Sequence, residues 1–182
     1  MTETTETIID RLYEDNKALV DYLQSQGQYS LLSNVEGSFP KVLLLAVASY
    51  FEDIIKQMIL DLFQEQTNAP LINFVANKAI KRQYHTFFDW KESNANQFFG
   101  LFGDDFKNAM KAEIKANPQL DQAVRAFMEI GQTRNALVHE NFATFPLPKT
   151  TEEIYHRYQE AMVFLELLPL KFREHIENSP PA

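Results

Sequence analysis

Between Lys41 and the acidic pair Glu52-Asp53 the chain reads Val-Leu-Leu-Leu-Ala-Val-Ala-Ser-Tyr-Phe, apolar on nearly every side once wound into a helix. A surface helix needs only one apolar stripe, so a helix apolar nearly all round must be covered from several directions at once. This segment therefore belongs at the centre of a helical bundle. Ser38 is placed to cap it and Pro40 to occupy its first turn, where a missing N–H costs nothing, and the helix is expected to run to about Gln66. The longest unbroken apolar run, Val42 to Ala48, falls far short of the roughly 20 residues a membrane span requires.

The remaining elements follow from helical spacing and from punctuation. Ile8, Ile9, Leu12, Leu19 and Leu23 form the apolar face of a first helix from about Glu6 to Gln24, closed by Gly27. Pro70 opens a shorter helix through Leu71, Phe74, Val75 and Ile80. Ser93 is placed to cap a brief helix over Phe98, Phe99, Leu101 and Phe102 that stops at Gly103, and another runs from Asp104 to about Ala116, stopped by Asn117-Pro118. A helix from about Leu120 to Glu140 gives way to Phe145-Pro146-Leu-Pro148, which cannot be helical. Thr150-Thr-Glu-Glu153 is a capping box for a last helix carrying Ile154, Tyr158, Met162, Leu165 and Leu168, with a bend expected at Pro169 and a frayed tail from Asn178. No strand-like alternation of useful length appears. The expectation is an all-α, single-domain helical bundle of five to seven helices, its core spanning about residues 6–177.

Composition narrows the chemistry. There is no cysteine among the 182 residues, which removes disulfides, thiolate nucleophiles and cysteine metal sites and is compatible with a reducing cytoplasm, the expected location. The net charge of −8 argues against a polyanionic partner, but its distribution is uneven. Residues 67–139 carry nine lysines and arginines against seven acids, while both flanking segments are acidic. Within that segment Lys78, Lys81 and Arg82 precede Gln83-Tyr84-His85-Thr86-Phe87-Phe88-Asp89-Trp90. Cations beside aromatics suit the phosphates and stacked bases of RNA, although Phe87, Phe88 and Trp90 serve equally well as core anchors, the commoner role for such rings.

The polar interruption of the penultimate helix is the strongest functional signal. Val124, Phe127, Met128, Ala136, Leu137 and Val138 are expected to bury one side, so Arg134, Asn135 and His139 break an otherwise core-like pattern. Asn135 and His139 share a face one turn apart; Arg134 lies off it, and only the length of its side chain, in a cleft or against a second subunit, would gather all three. In the central helix one of Glu52 and Asp53 is a candidate partner for Arg134, the alternative being that both acids face water. His85, His156 and His175 are isolated in sequence and read as surface histidines. No phosphate-binding glycine loop, metal-binding histidine helix or acidic metal cluster is present, and neither a metal nor another cofactor is expected.

Arg134-Asn135-x-x-x-His139 near the end of a penultimate helix, together with Ala48 to Met58 and the blocks Phe87-Phe-Asp-Trp90 and Asn96 to Gly103, resembles the HEPN superfamily in its RiboL-PSP-like branch. The resemblance covers roughly Ser38 to Glu177. It implies a metal-independent endoribonuclease, often of toxin–antitoxin or abortive-infection systems, acting as a homodimer in which Arg134 and His139 of two subunits meet, with Asn135 in support. An RNA substrate and an antitoxin or regulatory partner are implied with it. Some toxin members carry a modifiable tyrosine two residues after the histidine; this chain has Asn141 there. Other members are non-catalytic modules that bind nucleotide or protein.

The chemistry of RNA cleavage agrees. Attack by the 2′-hydroxyl needs a base, an acid for the leaving oxygen and a cation for the phosphate. One chain offers one evident imidazole, and two chains related by a twofold axis offer both, His139 of one acting as base and His139 of the other as acid. The alternative is that Arg134 and His139 merely complement the dipole at a helix C-terminus. Phe142 and Phe145, on the linker that follows, are expected to be exposed and to cover a subunit seam.

Overall fold

The computed structural model describes residues 6–64 and 69–178, with side chains described up to 63 and from 70 onwards. Along the chain lie α1 (Ile8–Ser25), α2 (Tyr29–Gln64), α3 (Ala69–Val75), a π-helical segment (Ala76–Ile80), α4 (Tyr84–Phe87), α5 (Asn96–Gly100), α6 (Asp104–Ala116), α7 (Pro118–His139) and α8 (Thr151–Asn178). The described residues contain no strand, and the all-α class holds. The helix count exceeds the expected range because of α4, a one-turn piece too short for hydrophobic periodicity to register; α5, equally short, falls where a brief helix was expected. The expected continuation of α2 past residue 64 and the tail beyond Asn178 lie outside the described residues.

Helix α2 is the centre of the bundle, packed against α1, α3, α7 and α8. Leu43, Leu44, Val47, Phe51 and Ile55 are all but inaccessible to water, and each large side chain so buried stabilises the fold by roughly 1.5–3 kcal/mol. The coverage is incomplete on one side, where Val42 and Ser49, two turns apart, are exposed. Ser38 does not cap α2, which begins nine residues earlier. Its hydroxyl donates to the Asn34 carbonyl at 2.8 Å inside the helix, and Pro40 is an interior residue. The turn before it, Glu36 to Ser38, is exposed, so water can serve the carbonyl that the proline leaves without a donor.

Several helix ends match their sequence signals. Asn117 Oδ1 accepts from the backbone N–H groups of Gln119 and Leu120 at 3.1 and 3.2 Å, with Pro118 opening α7. Thr150 and Glu153 form both bonds of the capping box at α8. Thr7 and Asp10 form another at α1, and that end is clamped to α8 by the Tyr155 hydroxyl donating to Asp10 at 2.9 Å and by Tyr13 stacked on Tyr155. Ser93, by contrast, caps nothing; α5 begins after Ala95, and it is Asn94 Oδ1 that accepts from the Asn96 N–H. Helix α8 continues through Pro169.

Phenylalanines fill the space between α5, α6 and α8. Phe98, Phe99 and Phe106 are fully buried against Phe164 and Phe172. Phe87 and Phe88 join the same core, which decides their role in favour of anchoring over base stacking. At α3 the apolar face expected from sequence is left open, with Leu71 and Phe74 exposed. Beyond α7, Lys41 from α2 is buried and its ammonium donates to the carbonyl of Phe142 at 2.7 Å, pinning the loop that leads to α8. Phe145 is drawn against the core and only Phe142 remains exposed, so the two do not form a shared exposed patch.

Candidate functional site

Helix α7 is buried along its first four turns and emerges towards its C-terminus. Phe127 and Ile130 are covered; in the last turn only Leu137 stays in the core, while Ala136, Val138 and His139 are exposed. The apolar side expected at Ala136 and Val138 is therefore not buried. Phe127, Gly131, Asn135 and His139, each four residues on, form one continuous face, and that face is a wall of a cleft of about 520 Å³. Ala48, Phe51 and Glu52, at helical spacing on α2, form a second wall. The third is the stretch that holds Arg82, Tyr84, His85 and Trp90.

The third wall has unusual backbone. The π-helical turn before it ends at Ile80, and Arg82 adopts a left-handed conformation at φ 63°, disfavoured for a side chain with a Cβ. These two departures turn the chain from α3 back to the bundle and set Arg82 at the cleft. Trp90 is then held in place from two directions. Its indole N–H donates to the His85 carbonyl at 3.1 Å, closing the segment on itself. Its six-membered ring lies on Gly131 so closely that a Cβ there would sit 1.9 Å from a ring carbon. Glycine at 131 is what lets the indole floor the cleft.

The electrostatics favour an anion. Arg134 reaches sideways, its Nη1 donating to Asn135 Oδ1 at 3.1 Å, which brings the guanidinium onto the face of Asn135 and His139 as only a long side chain can. The expected pairing of Arg134 with Glu52 is not formed. Glu52 pairs instead with Lys56 one turn along α2, the cheaper partner because it is held on the same helix, and Asp53 is exposed. Among the described residues no carboxylate lies within ion-pairing distance of Arg82 or Arg134. Arg82 keeps its donors for a ligand, and Arg134 keeps those not given to Asn135, in the planar fork that suits phosphate. Burial pushes the Tyr84 phenol well above its ordinary range; the nearby Glu52 charge adds to this and Arg134 opposes it. Tyr84 is thus a neutral hydroxyl at any physiological pH, set between the acid and the cation.

The structure gathers Arg134, Asn135, His139, Arg82 and Glu52 in one place. It leaves Lys78 and Lys81 outside the lining, both exposed. His85, which the sequence presents as one more surface histidine, lines the cleft, as do Tyr84 and Trp90. His156 lies elsewhere, beside Glu160 on α8, and His175 packs against Phe106. No group of three or more histidines, cysteines, aspartates and glutamates able to hold a metal ion gathers among the described residues.

The model of the RiboL-PSP-HEPN family matches residues 8–176. The chain belongs to that family. No curated protein and no solved structure matches it. As a RiboL-PSP-HEPN protein it falls in a class that supports nuclease or RNA-binding modules in general. The match spans α1 to nearly the end of α8 and so includes all three walls of the cleft. Among the described residues of this HEPN protein no helix is long and apolar enough to cross a membrane.

Proposed function

We propose that this RiboL-PSP-HEPN protein is a metal-independent endoribonuclease, folded as one HEPN-like unit, that cleaves RNA by attack of the 2′-hydroxyl on the adjacent phosphate. The observation that carries the reading is a cleft lined by Arg134, His139 and Arg82, with no carboxylate of the described residues within ion-pairing distance of either guanidinium. The two arginines bind the phosphate and offset the charge that builds on it; His139 takes the 2′-proton; Asn135 positions Arg134 through their hydrogen bond. A second imidazole protonates the departing 5′-oxygen. Histidine suits both tasks because its ordinary pKa, near about 6.5, populates both states at neutral pH. Lys78 and Lys81, exposed beside the cleft, guide the RNA backbone towards it.

The active species on this reading is a homodimer joined about a twofold axis at the ends of α7, where Ala136, Val138 and Phe142 are exposed apolar groups beside the polar motif. The cellular role is that of a toxin or abortive-infection effector, controlled by an antitoxin or regulatory partner, as the family resemblance implies. The test is cleavage of RNA oligonucleotides by the purified protein in excess EDTA, with identification of the new ends. Products with 2′,3′-cyclic phosphate and 5′-hydroxyl ends are expected. His139→Ala should lower the rate by roughly 10²-fold or more, and Arg134→Ala comparably, with the helical fold retained. Alanine variants that cleave as fast as the parent would overturn the enzyme reading in favour of a binding module.

A further inference from the structure

The reaction needs two proton-transfer groups, and the α7 motif supplies one. We propose that His85 is the second: the catalytic acid that protonates the leaving 5′-oxygen, from within the same protomer's cleft as His139. The assignment rests on the RNA-cleavage reading above and names the residue for a step which a dimer of motifs would otherwise have to share between subunits.

Four observations support it. His85 and His139 line one cleft of about 520 Å³, within the range of roughly 300–1,000 Å³ typical of small-ligand sites, so both imidazoles border a single ligand-sized space. They come from different walls, His139 from the end of α7 and His85 from the segment Arg82 to Trp90, so they approach a bound group from separate directions, as in-line displacement requires of base and acid. The His85 backbone is fixed by the Trp90 indole N–H while its side chain is exposed, which leaves the imidazole accessible to substrate on a held backbone. The phosphate-binding charge is present as well: Arg82 and Arg134 line the same cleft, and Glu52, paired with Lys56, is the remaining charged group of its lining.

The step balances without a further reactant. The 2′-hydroxyl gives its proton to neutral His139, and the freed oxygen lone pair forms the bond to phosphorus. The bond from phosphorus to the 5′-oxygen breaks, and that oxygen takes its proton from the His85 imidazolium. A cyclic phosphate and a 5′-hydroxyl leave, and exchange of protons with water resets the two rings.

A sulfur substitution isolates the acid. An RNA with a bridging 5′-sulfur at the scissile phosphate departs as a thiolate and needs no protonation. Full-length His85→Ala should cleave ordinary RNA roughly 10²-fold more slowly than the parent, yet cleave the 5′-thio RNA within a few-fold of it, while His139→Ala is slow on both. The rate profile of His85→Ala against pH should lose its alkaline limb and keep the acid one. His85→Gln, which keeps polarity without an exchangeable acid, should behave as His85→Ala does. Equal loss on both RNAs would make His85 a binding or positioning group and overturn the assignment, as would restoration of His139→Ala by the 5′-thio substrate. If the parent cleaves both RNAs and His85→Ala does so equally well, the assignment alone falls; a parent that cleaves neither takes the nuclease reading with it.

Discussion

Replacing Gly131 by alanine tests the architecture of the cleft through the sign of a stability change. In the middle of a helix this substitution normally stabilises, because alanine gives up less backbone freedom than glycine, by about 0.5–1 kcal/mol. Here the new Cβ would lie 1.9, 2.3 and 2.7 Å from three ring carbons of Trp90, distances no pair of carbons tolerates. The indole must move. It is boxed in by Phe88 at 5.0 Å, Tyr84 at 5.8 Å and Phe127 at 6.1 Å between ring centroids, and its N–H is tied to the His85 carbonyl at 3.1 Å. Overpacking of this kind costs about 1–3 kcal/mol, and the displaced hydrogen bond adds about 1 kcal/mol. After the propensity gain the net loss should be about 1–3 kcal/mol, which for a chain this long lowers the melting temperature by several degrees at about 2–4 °C per kcal/mol. Urea unfolding of four proteins completes the test: parent, Gly131→Ala, Trp90→Ala and the double variant. With the indole gone, Gly131→Ala should revert to stabilising by up to about 1 kcal/mol. A Gly131→Ala protein as stable as the parent or more so, in the presence of Trp90, would refute the packing described.

Three further outcomes follow from other parts of the molecule. Lys41→Met removes the buried ammonium that holds the Phe142 carbonyl, and should cost about 1.5–3 kcal/mol in urea unfolding and speed proteolysis of the loop between α7 and α8. Burial alone would raise the Asp10 carboxyl, but hydrogen bonds from the Thr7 backbone and hydroxyl and from the Tyr155 hydroxyl outweigh it and hold the group below its ordinary value. Its contribution is therefore present at neutral pH and is lost as pH falls through the depressed value, so Asp10→Asn should flatten the decline in stability measured by urea unfolding below about pH 4. Lys78→Gln with Lys81→Gln should weaken RNA binding about equally for all sequences and make its salt dependence shallower, whereas Arg82→Gln should chiefly slow cleavage; filter binding at several salt concentrations and single-turnover rates distinguish the two effects.

Local signals were legible in the chain wherever a side chain bonds its own neighbours. The Thr150 to Glu153 box, the end of α6 before Asn117-Pro118 and the apolar face of α8 all stand where the sequence puts them, while Asn117 also caps α7, which begins two residues before the expected Leu120. Ser38 and Pro40 misled because the same pair that starts many helices also fits within one when the turn is exposed. Arg134, Asn135 and His139 could be found because they interrupt a periodic helix. His85, Tyr84 and Trp90 could not be placed, since what brings them to α7 is a π-turn, a left-handed residue and a glycine some forty positions away, none of which leaves a periodic trace. Glu52 was located but mispaired: proximity to Lys56 on one helix outweighed the more distant guanidinium.

Trp90 is the single tryptophan in the chain, and it floors the cleft. The intrinsic fluorescence of this protein is for that reason almost a site-directed probe supplied by nature. Its emission reports the polarity and quenching groups of that one spot without a label. Titrating RNA fragments or inorganic phosphate against this signal reads occupancy of the cleft directly, even in a variant that has lost all turnover, and so separates a protein that cannot bind from one that binds and cannot cut.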